Sequence, residues 1–180
     1  YLAWQAATAL GIQNQLGLEK FVTAQMYYSL VGRDLEHEWM SFAQYTNMGI
    51  LVWSALAGGF LSGKYHRGNP LPDQSRFAQA GQFVPFDVER GYAIVEVLQQ
   101  IAQQHNASPA RVALAWTMSQ PAISSVIIAA RSLTHLEDNI LAANLKLTPE
   151  EQQAIHTVSD PGTPYPKWMV LQIYRWRPVA

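Results

Sequence analysis

Residues Gly49 to Tyr65, GILVWSALAGGFLSGKY, set a short apolar strand directly before a glycine-rich loop that ends in Lys64. Glycines let backbone N–H groups approach an anion without side-chain obstruction, and the ammonium adds a positive charge. The chemistry implied is the holding of a phosphate, and so of a nucleotide-like ligand. The spacing from Gly58 to Gly63-Lys64 also imitates the G-x-x-x-x-G-K part of a P-loop. A P-loop requires Ser or Thr after the lysine to hold Mg²⁺, and a helix starting there. Tyr65 follows instead, and then HRGNPLPD, a loop-forming run, so the P-loop reading fails.

Other chemistries find little support. The chain has no cysteine, which removes disulfides, thiolate metal sites and cysteine nucleophiles and is compatible with a reducing cytoplasm, the expected location. His37, His66, His105 and His156 form no H-x-x-x-H pair, so no metal site is expected. Ser54 lacks the G-x-S-x-G context of a serine hydrolase. With 12 basic and 13 acidic side chains mixed along 180 residues, there is no electrostatic footprint for nucleic acid or an anionic membrane. Lys167, Arg175, Trp176 and Arg177 make one basic and aromatic cluster, read as a solvated tail. No apolar run is long enough to cross a bilayer, and the first residues, YLAWQAATALG, lack the basic and apolar regions of a signal peptide. They also lack an initiator Met, so the chain is expected to start within a longer polypeptide.

Half the residues are hydrophobic (49%), enough for a substantial core in one domain. Helical and strand periodicities alternate, which points to an α/β fold with parallel strands. The pattern predicts a helix from Leu2 to Leu10 ending near Gly11, a strand from Phe21 to Tyr28, a helix from Leu35 to Thr46 stopped by Gly49, and a strand from Ile50 to Ser54. A long loop covers 65–88. A helix resumes near Arg90 with Ile94, Leu98, Ile101 and His105 on one stripe. Ser108 caps a second helix, with Pro109 at its first position. SVIIAA, from Ser125 to Ala130, fits a buried parallel strand. Thr134 with Glu137 and Thr148 with Glu151 read as capping boxes. An irregular tail covers 161–180. Three strands cannot close a (β/α)₈ barrel of the usual ~250 residues, so the chain would supply under half of one. Functional residues of such a barrel lie at the C-terminal ends of strands, where Gln25, Trp53 with Ser54, and Arg131 fall.

The segments QMYYSLVGRDLEHE, GILVWSALAGGFLSGKY, SPARVALAW and SVIIAARSLTHLEDNILAA, in this order and at this spacing, closely resemble the second half of the aldo-keto reductase family. The resemblance runs over essentially the whole chain, and the YPKWM of the tail is similar to that of bacterial members. It implies the C-terminal part of a (β/α)₈ TIM barrel and an NADPH-dependent reduction of aldehydes or ketones.

Position by position, the resemblance assigns Gln25 to the nicotinamide carboxamide, a task suited to an amide that both donates and accepts. Trp53 matches the aromatic residue that stacks on the nicotinamide ring. Ser54, Leu56, Gly58, Leu61 and Lys64 match the loop around the pyrophosphate. Arg131 and Ser132 match the segment that receives the 2′-phosphate, with Asn139 and His135 nearer the adenine; a guanidinium there argues for NADPH over NADH. Arg33 and Glu36 match a frequent pair, read as structural. Two departures stand out: the family's frequent Ser-Pro-Leu is Ser54-Ala55-Leu56, which predicts a looser loop, and its Gly-Ala-Arg is Ala129-Ala130-Arg131. The family's catalytic Asp, Tyr, Lys and His come from the first half of the barrel, so no catalytic residue is assigned here. Expected partners are a small carbonyl substrate and either the missing N-terminal half of the barrel or an oligomer partner. The competing expectation is a non-catalytic nucleotide-binding or interaction module with the same fold.

Overall fold

A computed structural model of the chain describes residues 1–69 and 84–176. Helix α1 spans Ala3–Leu16. It runs through Gly11, the expected stop, and closes on Gly17, whose left-handed φ of 64° lets Leu18 N donate to Gln13 O at 2.8 Å. Strand β1 is Thr23–Tyr27, shorter at both ends than expected. The single helix expected over 35–46 is instead a 3₁₀ turn at Asp34–Glu36 followed by α2, Trp39–Thr46. Its left-handed stop is Asn47, at φ 55°, with Met48 N closing on Ala43 O at 2.9 Å. Gly49 is not the helix stop but the first residue of β2, Gly49–Trp53. A Cβ on Gly49 would lie 2.5 Å from Ser124 Oγ and 3.2 Å from its Cβ, so glycine lets the Ser124 side chain of the neighbouring strand pack closely here.

A 3₁₀ segment, Ala57–Ser62, follows β2. Most of the loop read over 65–88 falls at residues 70–83, outside the described residues, as does Arg177 of the basic cluster. Helix α3, Val88–Gln104, begins where Asp87 accepts from Glu89 N and Arg90 N. Helix α4, Pro109–Met118, has the expected cap, Ser108 Oγ accepting from Arg111 N at 3.0 Å. Strand β3 is Ile123–Val126, two residues upstream of the expected run. After Ile127 N bonds Val52 O, β2 itself has nearly ended, and Ile128 to Ala130 have no ladder to join. Helix α5 is Leu133–Leu141, capped by Ser132 and not by Thr134. Helix α6, Pro149–Ser159, carries the expected box: Thr148 N donates to Glu151 Oε2 at 2.8 Å and Glu151 N to Thr148 Oγ1 at 3.2 Å. The tail is not irregular throughout. Lys167–Trp176 forms α7, opened by Trp168 N to Pro164 O and Val170 N to Pro166 O. Pro164 and Pro166 stand just before this helix, where a missing N–H group has no partner to lose.

The strands form one parallel sheet in the order β1-β2-β3. Ile50 and Val52, both fully buried, face the helices, where they join Tyr28, Phe60, Ile94, Leu98, Leu114, Trp116 and Ile155. The other face stays partly open. Register sets Gln25 opposite Leu51, Tyr27 opposite Trp53, and Ser125 opposite Leu51 on it. Alternation along each strand therefore gives the sheet one packed face and one face available to a ligand or to further protein. Among the described residues no helix is long and apolar enough to cross a membrane.

Candidate functional site

The loop after β2 is built from backbone that few residues tolerate. Ser54 and Ala57 take φ of 57° and 49°, and Gly58, Gly59 and Gly63 take 66°, 93° and 85°. Such conformations persist only where surrounding contacts over-determine them. Here the anchors are Ala55, Phe60, Leu61 and Tyr65, all buried, with Phe60 and Tyr65 stacked at 5.3 Å. Ala57 N donates to Ser54 O at 2.8 Å, Gly59 N to Leu56 O at 2.9 Å, and Gln99 Nε2 to Gly63 O at 3.2 Å. The looser loop expected from Ala55 in place of proline is held by that residue's burial, at 3% exposure. Gly63 abuts Pro109: a Cβ would come within 2.6 Å of its ring. Gly63→Ala is therefore expected to cost about 1–3 kcal/mol, combining left-handed strain with that clash. An unshifted urea midpoint would contradict it.

Above Gly58, no atom lies within 4 Å of where a Cβ would project, so the backbone there is open. Lys64 Nζ lies 3.4 Å from the Cβ position of Gly59 and 5.2 Å from the Tyr65 ring centroid. The N–H groups of Ala57, Gly59 and Leu61 are used within the loop, so what the segment offers is open left-handed backbone at Gly58 beside the exposed Lys64 ammonium, a setting of positive charge. Of the residues the sequence assigns to this loop, Ser54, Leu56 and Gly58 are partly exposed and Lys64 exposed. Leu61 differs: its side chain is fully buried and its N–H goes to Leu56 O, so it anchors the loop from behind.

Because β3 is the neighbour of β2, the segment after β3 emerges beside this loop. Arg131, Ser132 and His135 are exposed there. Ser132 Oγ accepts from His135 N at 3.3 Å and caps α5, leaving the helix N-terminus and the guanidinium on the same short segment, a setting that favours a phosphate. Asp138 fixes this helix to α4, accepting from Ser108 Oγ and from Arg111, whose Nε lies 3.0 Å from Oδ1. Asn139 is buried at 8% exposure, turned toward the protein and away from the exposed Arg131 group. Gln25 lies at the middle of β1 and not at its end, exposed on the open face, with Trp53 at the end of β2 on that same face. Trp53 and the loop residues Ser54, Leu56, Gly58 and Lys64 thus lie at or past the C-terminal end of β2, and Arg131, Ser132 and His135 past that of β3, while Gln25 is at mid-strand and Leu61 and Asn139 are turned inward.

Sequence reading missed Tyr27, which touches Trp53 at 5.3 Å between ring centroids, and undervalued a buried cluster around Arg33. Arg33, 3% exposed, donates to Glu36 through Nε at 2.6 Å and Nη2 at 2.9 Å, and to Ser159 Oγ at 2.7 Å. Tyr28 Oη donates to Glu36 Oε1 at 2.5 Å, and Arg33 Nη2 lies 2.9 Å from His156 Nδ1. Two aromatic residues in sequence at the end of β1 were the available signal. Among the described residues no cluster of His, Asp or Glu could hold a metal ion.

A sequence profile described as the Aldo/keto reductase family matches residues 3–160. The chain belongs to that family. Its relatives include Protein tas of Escherichia coli (strain K12), 30% identical over 167 residues, covering 88% of this chain and 48% of that protein. A probable voltage-gated potassium channel subunit beta of Oryza sativa subsp. japonica is 34% identical over 165 residues, covering 87% and 49%. Versiconal hemiacetal acetate reductase of Aspergillus parasiticus is 25% identical over 164 residues, covering 91% and 48%. The chain spans about half the length of the curated relatives it matches. Membership implies a (β/α)₈ barrel, and three parallel strands alternating with helices are consistent with part of one.

Proposed function

We propose that these residues are the C-terminal part of an NADPH-dependent oxidoreductase barrel that reduces aldehydes or ketones to alcohols. The observation that carries the reading is the pairing, on adjacent strands, of an open glycine cradle under Lys64 with the exposed Arg131–Ser132 segment at the start of α5. Two anion sites of that kind suit the pyrophosphate and the 2′-phosphate of one dinucleotide. Trp53 and Gln25, on the open face, would take the nicotinamide ring and its carboxamide. The cofactor supplies a hydride when bound, and this chain's residues hold and orient it. The proton donor would come from the preceding half of the barrel.

The reading is tested by fluorescence titration of the longer natural polypeptide with NADPH and NADH, with carbonyl-dependent NADPH oxidation followed in parallel. NADPH is expected to bind more tightly than NADH, and Arg131→Ala to remove about tenfold of that preference, the size of one charge-assisted contact. Equal affinity for both cofactors would overturn the role of Arg131. Tight NADPH binding without turnover of any aldehyde or ketone would favour the second reading, a non-catalytic nucleotide-binding or interaction module. That alternative draws on the apolar residues exposed along α1 and before β1, among them Trp4, Ile12, Leu16, Phe21 and Val22.

A further inference from the structure

Tyr27 faces Trp53 directly across the β1–β2 ladder, and the two rings meet at 46°. The far end of the phenol is held as well. Its Oη lies 2.8 Å from Ser29 Oγ, and Ser29 is fully buried, so the bond satisfies a hydroxyl that water cannot reach. Ser29 and Gly32 form a tight turn closed by Ser29 N to Gly32 O at 3.2 Å and Gly32 N to Ser29 O at 3.0 Å. The ring of Tyr27 lies against Gly32 so closely that a Cβ there would be 2.5 Å from Cε1 and 2.6 Å from Oη. The phenol is therefore seated on one side by a glycine turn and presses on the indole with the other.

We propose that Tyr27 is a positioning residue for Trp53: seated on the Ser29–Gly32 turn, it sets the tilt of the indole and so the surface that receives the nicotinamide. The inference rests on the proposed function, because it takes Trp53 to be the nicotinamide platform. Gln25 lies two positions earlier on the same face of β1, so one strand would both grip the carboxamide and fix the platform. A role as proton donor is a poor fit. Burial holds the phenol above its ordinary range, only partly offset by the bond to Ser29, which keeps it neutral and reluctant to give up its proton.

Gly32→Ala makes the test sharp. The three atoms nearest the added methyl, at 2.5 to 2.8 Å, all belong to the outer end of Tyr27, so the substitution displaces that ring first. In the longer natural polypeptide, affinities for NADPH and for adenosine 2′,5′-bisphosphate are measured in the unmodified protein, Tyr27→Ala, Gly32→Ala and the double variant. Each single variant is expected to weaken NADPH roughly three- to tenfold, the worth of one aromatic contact, and to leave the bisphosphate unmoved. In the double variant Gly32→Ala should add nothing, since the ring it displaces is gone. The inference is overturned if the single variants bind NADPH normally, weaken both ligands alike, or add in the double variant. An unmodified protein that binds neither ligand would overturn the proposed function and this inference with it.

Discussion

Replacing Arg33 by alanine is expected to destabilise the fold by about 3–5 kcal/mol, the cost of stripping one partner from a buried ion pair. That is a large share of the ~5–15 kcal/mol by which a domain is stable. The guanidinium, 2% exposed at its side chain, is what neutralises Glu36, and it also bonds Ser159 and lies 5.2 Å from the ring centroid of Trp116. Trp116 in turn stacks on Tyr28 at 5.6 Å, and Lys167 donates to Glu36 O. The Arg33 side chain thus ties the turn after β1 to α4 and α6, and α7 joins the cluster through Lys167 and the Glu36 carbonyl. Denaturation by urea gives the measurement; a loss under ~1 kcal/mol, the range of exposed pairs, would mean that the cluster is solvated.

The same cluster predicts an acid limb. Burial alone would push the Glu36 carboxyl up, but hydrogen bonds from Arg33 and Tyr28 outweigh it and hold the group below the usual carboxylate range. A carboxyl depressed in the folded state stabilises it fully above the ordinary value, and the contribution fades as pH falls through the folded one. Burial, and then the bond given to Glu36, hold the Tyr28 phenol far above its ordinary range, so Tyr28 remains a donor at neutral pH. In Arg33→Ala the cluster should lose its acid limb along with its stability.

The sequence revealed those elements whose role is local and hid those created by pairing. The strand read over Ile50 to Ser54 falls within one residue of β2 because its apolar run is bounded by turn residues, and Ser108-Pro109 and Thr148 with Glu151 read as helix starts because caps act within one turn. Strand β3 was placed too late because its first residues, Ile123 and the exposed Ser124, are not part of a continuous apolar run. Gly49 was misread because its close neighbour is Ser124, far off in the chain. The same limit hid Tyr27: its neighbour Trp53 is supplied by strand register, which no spacing in a single segment encodes. The β2 loop was legible as a glycine-rich turn ending in a lysine. That Leu61 points inward follows only from packing, since a leucine in a loop can be an anchor or a contact.

Trp53→Ala is expected to weaken NADPH about tenfold to a hundredfold. An indole covering roughly 100 Å² of apolar surface at ~25 cal/mol per Å² contributes about 2.5 kcal/mol, which is between one and two decades of affinity. The fold should tolerate the change, because Trp53 is partly exposed on the open face of the sheet while the buried Trp116, at 2% exposure, belongs to the core. Adenosine 2′,5′-bisphosphate should bind as before, since its phosphates would meet Lys64 and the Arg131 segment and not the indole. Turnover at saturating NADPH should fall as well, because a ring no longer held flat spends less time in the reactive orientation. Trp53→Phe, which keeps a smaller ring beside Tyr27, should recover a good part of both losses. Unchanged NADPH affinity in Trp53→Ala would remove the nicotinamide from this face of the sheet and leave the two anion sites as the whole of the chain's claim on the cofactor.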